Sequence, residues 1–384
     1  MSRRVLVASC AAGAAAIAVC ALAAMGSSDP SPGSDAWVGL TGRVDPSATA
    51  DKAAMTPDDA VAVRLLARSA TAASSVAYAG TVVLQDADTR STTQLLHVPG
   101  TGTAAVPQGT AASKAVLMPD GRSNSFADEG RQLDLLRINY RVLREADLDT
   151  TVAGRPAEAV VAVGSDGAVA ARYWLDATTG LLLRKELVDA AGAVWSRSGF
   201  EKLSLDTASS PLATAAATPP ADSWTQSLDL AALVAERTKG CDCPESLPGG
   251  LSLVEARRAP AGTVASVPVI HQLFSDGLLS VSLFTLPGTL ADSDIEGLQN
   301  RGFVATTLDG YSVWIRGGAT KTATATVVWQ CGGSVLTLVT DGALQPREVA
   351  GTVVSAMPPS PTTDDSSFLD RVVRGWHKLT GNTA

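Results

Sequence analysis

The sequence predicts an α+β fold: one helix leads into a large antiparallel sheet, and a smaller α+β domain follows. Three observations carry this. One stretch of helical periodicity, residues 57–73, precedes a series of runs that alternate apolar and polar residues. Short Asp/Gly turns join those runs, which connects antiparallel neighbours and leaves no room for crossover helices. A Pro/Ala/Thr stretch at 207–224 then introduces a second series of strands with helices of its own.

The composition narrows the function classes. Of 384 residues 46% are hydrophobic, much of that Ala, while aromatic residues reach 4% and charged residues 18%. That excludes a Glu/Lys-rich coiled coil and a wholly disordered chain. The formal net charge is −8 and no basic stripe interrupts it. Phosphate neutralisation therefore has no footprint, and nucleic acid is not expected as a partner.

In chain order, residues 5–25 (VLVASCAAGAAAIAVCALAAM) carry no charge and follow Arg3 and Arg4. Segment 1–25 reads as a signal peptide, with Ala21-Leu22-Ala23 as a cleavage site, or as an N-terminal membrane anchor. Either way the basic end stays inside and the body is extracytoplasmic. Residues 26–55 are rich in Ser, Gly, Pro and Asp and read as a disordered spacer. A first domain spans 56–206. Thr56 is the expected cap of its helix, with Pro57 at the first helical position. Strands are expected at 74–86, 92–98, 137–143, 157–164, 170–176, 181–189 and 193–205. Residues 207–240 form a linker with a short helix at 227–238. The second domain, 241–357, has strands at 251–258, 269–274, 278–286, 302–307, 311–316, 323–330 and 334–340, with helices at 292–301 and 345–355. Residues 358–384 form a tail, within which Phe368–Leu379 fits a terminal helix.

No catalytic constellation is present. G-x-S-x-G, P-loop, H-E-x-x-H and G-x-G-x-x-G patterns are absent. His97, His271 and His377 stand apart from one another and read as structural. The expectation is a non-enzyme with no cofactor and no metal.

After loss of the export segment three cysteines remain: Cys241, Cys243 and Cys331. In an oxidising compartment the expectation is one disulfide from Cys331 to Cys241 or Cys243. A zinc site made with His271 is the alternative, but C-x-C is not the usual zinc spacing. A large sheet curling around a helix also offers an apolar hollow. Its candidate lining is Val82, Leu84, Leu96, Val160, Trp174, Leu182 and Trp195.

Two runs resemble the MucB/RseB family of regulators of sigma-E-type factors. The first spans 140–203, with VAGRPAE (152–158) and RYWLDATTGLLLRKELVD (172–189) at its core. The second comprises LPGGLSLVEAR (247–257), LFSDGLLSVSLF (273–284) and GLQNRGFVATTLDGYSVWIRG (297–317). Region 99–136 departs from the family, being short and rich in Gly, Ala and Asp. The resemblance implies a lipoprotein-carrier-like first domain, an unclosed β-barrel with helices in its hollow. It also implies the partner: the outer part of a membrane-spanning anti-sigma factor, shielded from proteolysis until a lipid-like ligand releases it. The alternative it leaves is a lipid or lipoprotein carrier of the cell envelope.

Overall fold

The computed structural model describes residues 59–86, 90–107, 116–118, 129–146, 150–189, 191–208, 210, 212, 226–237, 244–259, 268–317, 325–341 and 346–359. The expected export segment, spacer and tail helix, and Cys241, Cys243 and His377, lie outside these residues. Contacts divide the chain into two compact units, with described residues before 219 in one and those after it in the other. Both are built on antiparallel sheets with few helices.

In the first unit, α1 (Ala60–Ser75) buries Ala62, Leu66, Ser69, Ala72 and Ala73 on one face. Its cap is Asp59 and not the expected Thr56. The Asp59 Oδ1 accepts from Val61 N at 2.7 Å, and the Asp59 N–H donates to Val142 O at 2.9 Å. The competing Asp wins because it satisfies an orphan helix donor and ties the helix to the sheet at once. The strands are β1 (Tyr78–Asp86), β2 (Arg90–Val98), β3 (Gly102–Pro107), β4 (Val116–Met118), β5 (Arg141–Glu145), β6 (Thr151–Val152), β7 (Arg155–Val163), β8 (Val169–Asp176), β9 (Leu182–Val188) and β10 (Val194–Ser204).

One expected strand, 137–143, is divided between two elements. Residues Glu129–Asn139 form α2, and only Arg141 onward is strand. Leu135 and Leu136 are buried while Ile138 is 48% exposed. The Asn139 side chain caps back onto Leu135 O at 3.0 Å. The apparent alternation of R-I-N-Y-R-V-L mixed the end of a helix with the start of a strand. β3 and β4 were not expected at all, since Gly and Ala give β3 no apolar alternation and β4 is only the three residues Val116–Met118.

The first sheet runs β4-β3-β2-β1-β10-β9-β8-β7-β5, with β6 on β7. β1 and β10, first and last long strands of the unit, pair in its middle. Its ends, β4 and β5, do not pair with each other among the described residues, so the sheet is unclosed. Gly80 is required at the centre. A Cβ there would lie 2.4 Å from Lys202 O and 2.8 Å from the Phe200 ring.

The second unit comprises β11 (Gln226–Ser227), α3 (Leu230–Arg237), β12 (Ser246–Leu247), β13 (Leu251–Ala259), β14 (Val269–Ser275), β15 (Ser280–Pro287), α4 (Asp292–Asn300), β16 (Val304–Leu308), β17 (Tyr311–Gly317), β18 (Ala325–Cys331), β19 (Ser334–Asp341) and α5 (Pro346–Ala356). Its sheet runs β11-β13-β14-β15-β19-β18-β17-β16, with β12 on β13. The sheet thus begins with β11, inside the segment expected as a linker. Leu298 of α4 packs with Val269, Leu286, Val328 and Val335. At the end of α5, Met357 O accepts from Trp329 Nε1 at 2.8 Å.

Candidate functional site

Cross-strand partners share a face of a sheet, so the register assigns every side chain to one of two surfaces. On one face of the first sheet stand Tyr78, Val82 and Leu84 of β1, His97 of β2, Phe200 of β10, Tyr173 of β8 and Val160 of β7. His97 fixes α1 to this face. It is 2% exposed, pairs through Nδ1 with Thr103 Oγ1 at 3.0 Å and through Nε2 with Ser74 O at 3.3 Å. Its ring stacks on Tyr78 with centroids 5.0 Å apart, and Tyr78 meets Phe200 edge-on at 5.7 Å. The Ser74 carbonyl accepts from Nε2–H and the Thr103 hydroxyl pairs with Nδ1, so both ring nitrogens are satisfied.

The seven expected lining residues do not converge. Val82, Leu84, Val160 and Leu182 share the His97 face, Leu182 through its pairing with Leu175. Leu96 and Trp174 lie on the opposite face. Leu96 packs there with Ala79, Ala104 and Leu212. Trp195 sits in a β-bulge between Val194 and Ser196. All but Leu84 are buried. A shallow groove of about 250 Å³, bordered by Ala79, Thr81, Gln94 and Lys202, includes none of the seven.

The turn Asp176–Gly180 anchors the helix to the sheet. Asp176 is 1% exposed and accepts from Thr178 N at 3.0 Å, Thr179 N at 2.7 Å and Thr179 Oγ1 at 2.9 Å. Arg155 adds a fork of two donors from β7. Burial alone would raise the Asp176 pKa; the bonds from Arg155 and Thr179 and the Arg155 charge outweigh it and hold the carboxyl below its ordinary 3.8. Gly180 closes the turn at φ +86°, and Arg68 of α1 lies against it while donating to Ala177 O and Thr178 O. These residues build the fold and offer no reacting group.

The face opposite His97 carries charge that sequence reading missed. Leu143, Val161, Arg172, Glu186 and Arg197 form one row across β5, β7, β8, β9 and β10. Glu145, Ala159, Trp174, Arg184 and Gly199 form the next. The Glu186 side chain, 6% exposed, pairs with Arg197 at 2.8 Å and Arg172 at 3.9 Å. The Arg184 guanidinium lies over the Trp174 ring, 5.2 Å from its centroid. The readable signal was the spacing of Arg172, Trp174, Arg184 and Glu186, each two residues from the next charge or ring on its strand.

In the second unit His271 stacks on Phe284, with centroids 4.5 Å apart and planes at 11°, and pairs with Ser282 Oγ at 3.1 Å. Burial, with the Arg257 charge opposite, pushes its pKa down to about 3. Burial raises the Glu255 carboxyl above 4.5, with Arg257 only partly offsetting it. Among the described residues no three of His, Cys, Asp and Glu converge to hold a metal.

Residues 110–223 match the model of the MucB/RseB N-terminal domain. That range takes in both core motifs, VAGRPAE and RYWLDATTGLLLRKELVD. No curated protein matches the chain. Among solved structures, a crystal structure of MucB is 20% identical with a TM-score of 0.48, covering 78% of this chain and 98% of that one. MucB in complex with MucA(peri) is 21% identical with a TM-score of 0.45, covering 76% and 97%. The Pseudomonas aeruginosa MucA/MucB complex is 20% identical with a TM-score of 0.47, covering 77% and 98%.

Proposed function

We propose a function for a chain that carries a MucB/RseB N-terminal domain: it is an exported, non-enzymatic regulator of extracytoplasmic sigma-factor signalling. It binds the outer part of a membrane-spanning anti-sigma factor and limits that protein's proteolysis, and a lipid-like ligand releases it. The match over 110–223 is the observation that carries this reading. The buried, hydrogen-bonded state of His97 and Asp176 supports it, since both groups are committed to the fold. A tagged full-length chain should recover from detergent-solubilised envelope a single-span protein with a cytoplasmic sigma-binding domain. Recovery of no such protein overturns the reading.

The carrier reading comes second. A groove of about 250 Å³ lies below the roughly 300–1,000 Å³ of ordinary small-molecule sites. Native mass spectrometry of the purified chain would favour a carrier if a stoichiometric lipid remained bound.

A further inference from the structure

The Trp174 face of the first sheet combines three features that point to an acidic ligand. First, Trp174 is 3% exposed, and its indole Nε1–H is buried with no hydrogen-bond partner among the described residues. A buried donor left unpaired is unfavourable, and an acceptor supplied on binding would recover that cost. Second, Arg184 has the Trp174 ring as its only contact of charge or hydrogen bonding among the described residues. The residue is half-buried, and no carboxylate among the described residues pairs with it. Third, Arg172, Arg184 and Arg197 on this face are set against Glu186, which is already shared between Arg172 and Arg197, and against Glu145, which stands three strands from Arg184 in its row. Arg141, paired with Val163 on the same face, adds a buried Nε that is also unpaired. In a chain of net charge −8 this is a local excess of cations and donors.

We propose that Trp174, Arg184 and Arg172 form a docking site for a carboxylate-rich segment of a polypeptide partner. A carboxylate seated beside Arg184 accepts from its guanidinium fork, and it reaches the buried Trp174 N–H where the side chains over that atom give way. A second acidic residue reaches Arg172, one row along the sheet. Charge complementarity names the occupant: donors without acceptors, arranged in two neighbouring rows, suit carboxylates spaced along a chain. The proposal rests on the partner-binding reading above and adds the surface and the partner's chemistry.

The test uses the full chain and a fluorescein-labelled oligoglutamate peptide, read by anisotropy. Arg184→Gln should weaken binding about tenfold, the value of one charge-assisted contact. Trp174→Phe keeps the ring and loses the N–H, and should weaken it about threefold with the melting temperature nearly unchanged. Arg144→Gln, at an exposed position on the opposite, His97 face of the sheet, should bind as the wild type does. If Arg184→Gln fails to fold, Arg172→Gln carries the same expectation. Equal peptide affinity for the folded Arg variants and wild type overturns the site. So does Arg184-dependent binding to phosphatidylglycerol vesicles by a protein that ignores the peptide, which would assign the patch to a membrane. The envelope pull-down separates the two readings: recovery by wild type and equally by Arg184→Gln removes this site alone, whereas no recovery by wild type removes the function.

Discussion

Gly80 and Asp176 show how single residues shape the first sheet: Gly80 lets β1 lie close to β10, and Asp176 builds the turn on which Arg68 of α1 rests. At Gly80 the added methyl of Gly80→Ala would press into Lys202 O and the Phe200 ring. Backbone cannot yield as a side-chain tip does, so the cost should be about 1–3 kcal/mol, seen as a lowered first-unit melting temperature. Unchanged melting would mean that β1 and β10 shift apart freely. Asp176→Asn keeps an acceptor for Thr178 and Thr179 but removes the charge facing Arg155. We expect a loss of about 2 kcal/mol at pH 7, measured by urea unfolding. The pH dependence has a definite sign. The folded carboxyl titrates below its ordinary 3.8, so its stabilisation is fully present above that value and is lost as pH falls through the lower, folded pKa. The wild type should therefore lose more stability below pH 4 than Asp176→Asn does.

At the scale of elements, His271 joins β14 to β15 by its stack on Phe284 and its bond to Ser282. Its folded pKa of about 3 lies below the roughly 6.5 of an unfolded imidazole. The unfolded chain therefore binds the extra proton between these values. Stability is highest above about pH 6.5 and declines toward pH 3, with a ceiling of about 1.4 kcal/mol per pH unit. The half-buried ring keeps the slope under that ceiling. Unfolding of the second unit, followed at several pH values, should be flatter in His271→Gln; identical slopes would assign the acid sensitivity to other groups. Element identity was mostly legible. Helix α1 followed its period of 3.6, and strands β7 to β10 lie between the turn residues that bounded them, although β7 and β8 bury both faces at 159–163 and 173–176. The boundary at Asn139 was not legible, because Leu135, Leu136 and Val142 are all buried and the pattern does not mark where one period replaces the other.

On the scale of the whole molecule, the cysteines test both compartment and chain path. Cys331 ends β18 beside the β18–β19 turn, level with Ser334 and Pro287. Pro244, next to Cys243, is held by Gln272 Nε2 at 2.6 Å. By register Gln272 lies about four residues, or about 13 Å, along the strands from that level, and three strands across. A disulfide needs Cα atoms within about 7 Å. Cys241, two residues farther from this anchor, has more freedom to reach Cys331 than Cys243 has. Non-reducing peptide mapping of the exported protein should find a Cys241–Cys331 pair and a Cys243 thiol. A Cys243–Cys331 pair would show that the Gln272 contact breaks, and three thiols would show that the bond does not form.

Taken alone, the sequence determined the α+β class, the antiparallel strands and the family resemblance, because turn chemistry and hydrophobic period act over a few neighbouring residues. It also identified Trp174 as a buried strand residue. Tertiary structure decided which surface each strand residue shares with residues far along the chain. Val82 and Trp174, both apolar and both buried, were expected in one hollow but lie on opposite faces. The reason is physical: alternation defines two faces within a strand, but only the pairing register states which face of one strand continues which face of the next. The cations of β8 and β9 became a surface when that register set Arg184 over Trp174 and Arg172 beside Glu186.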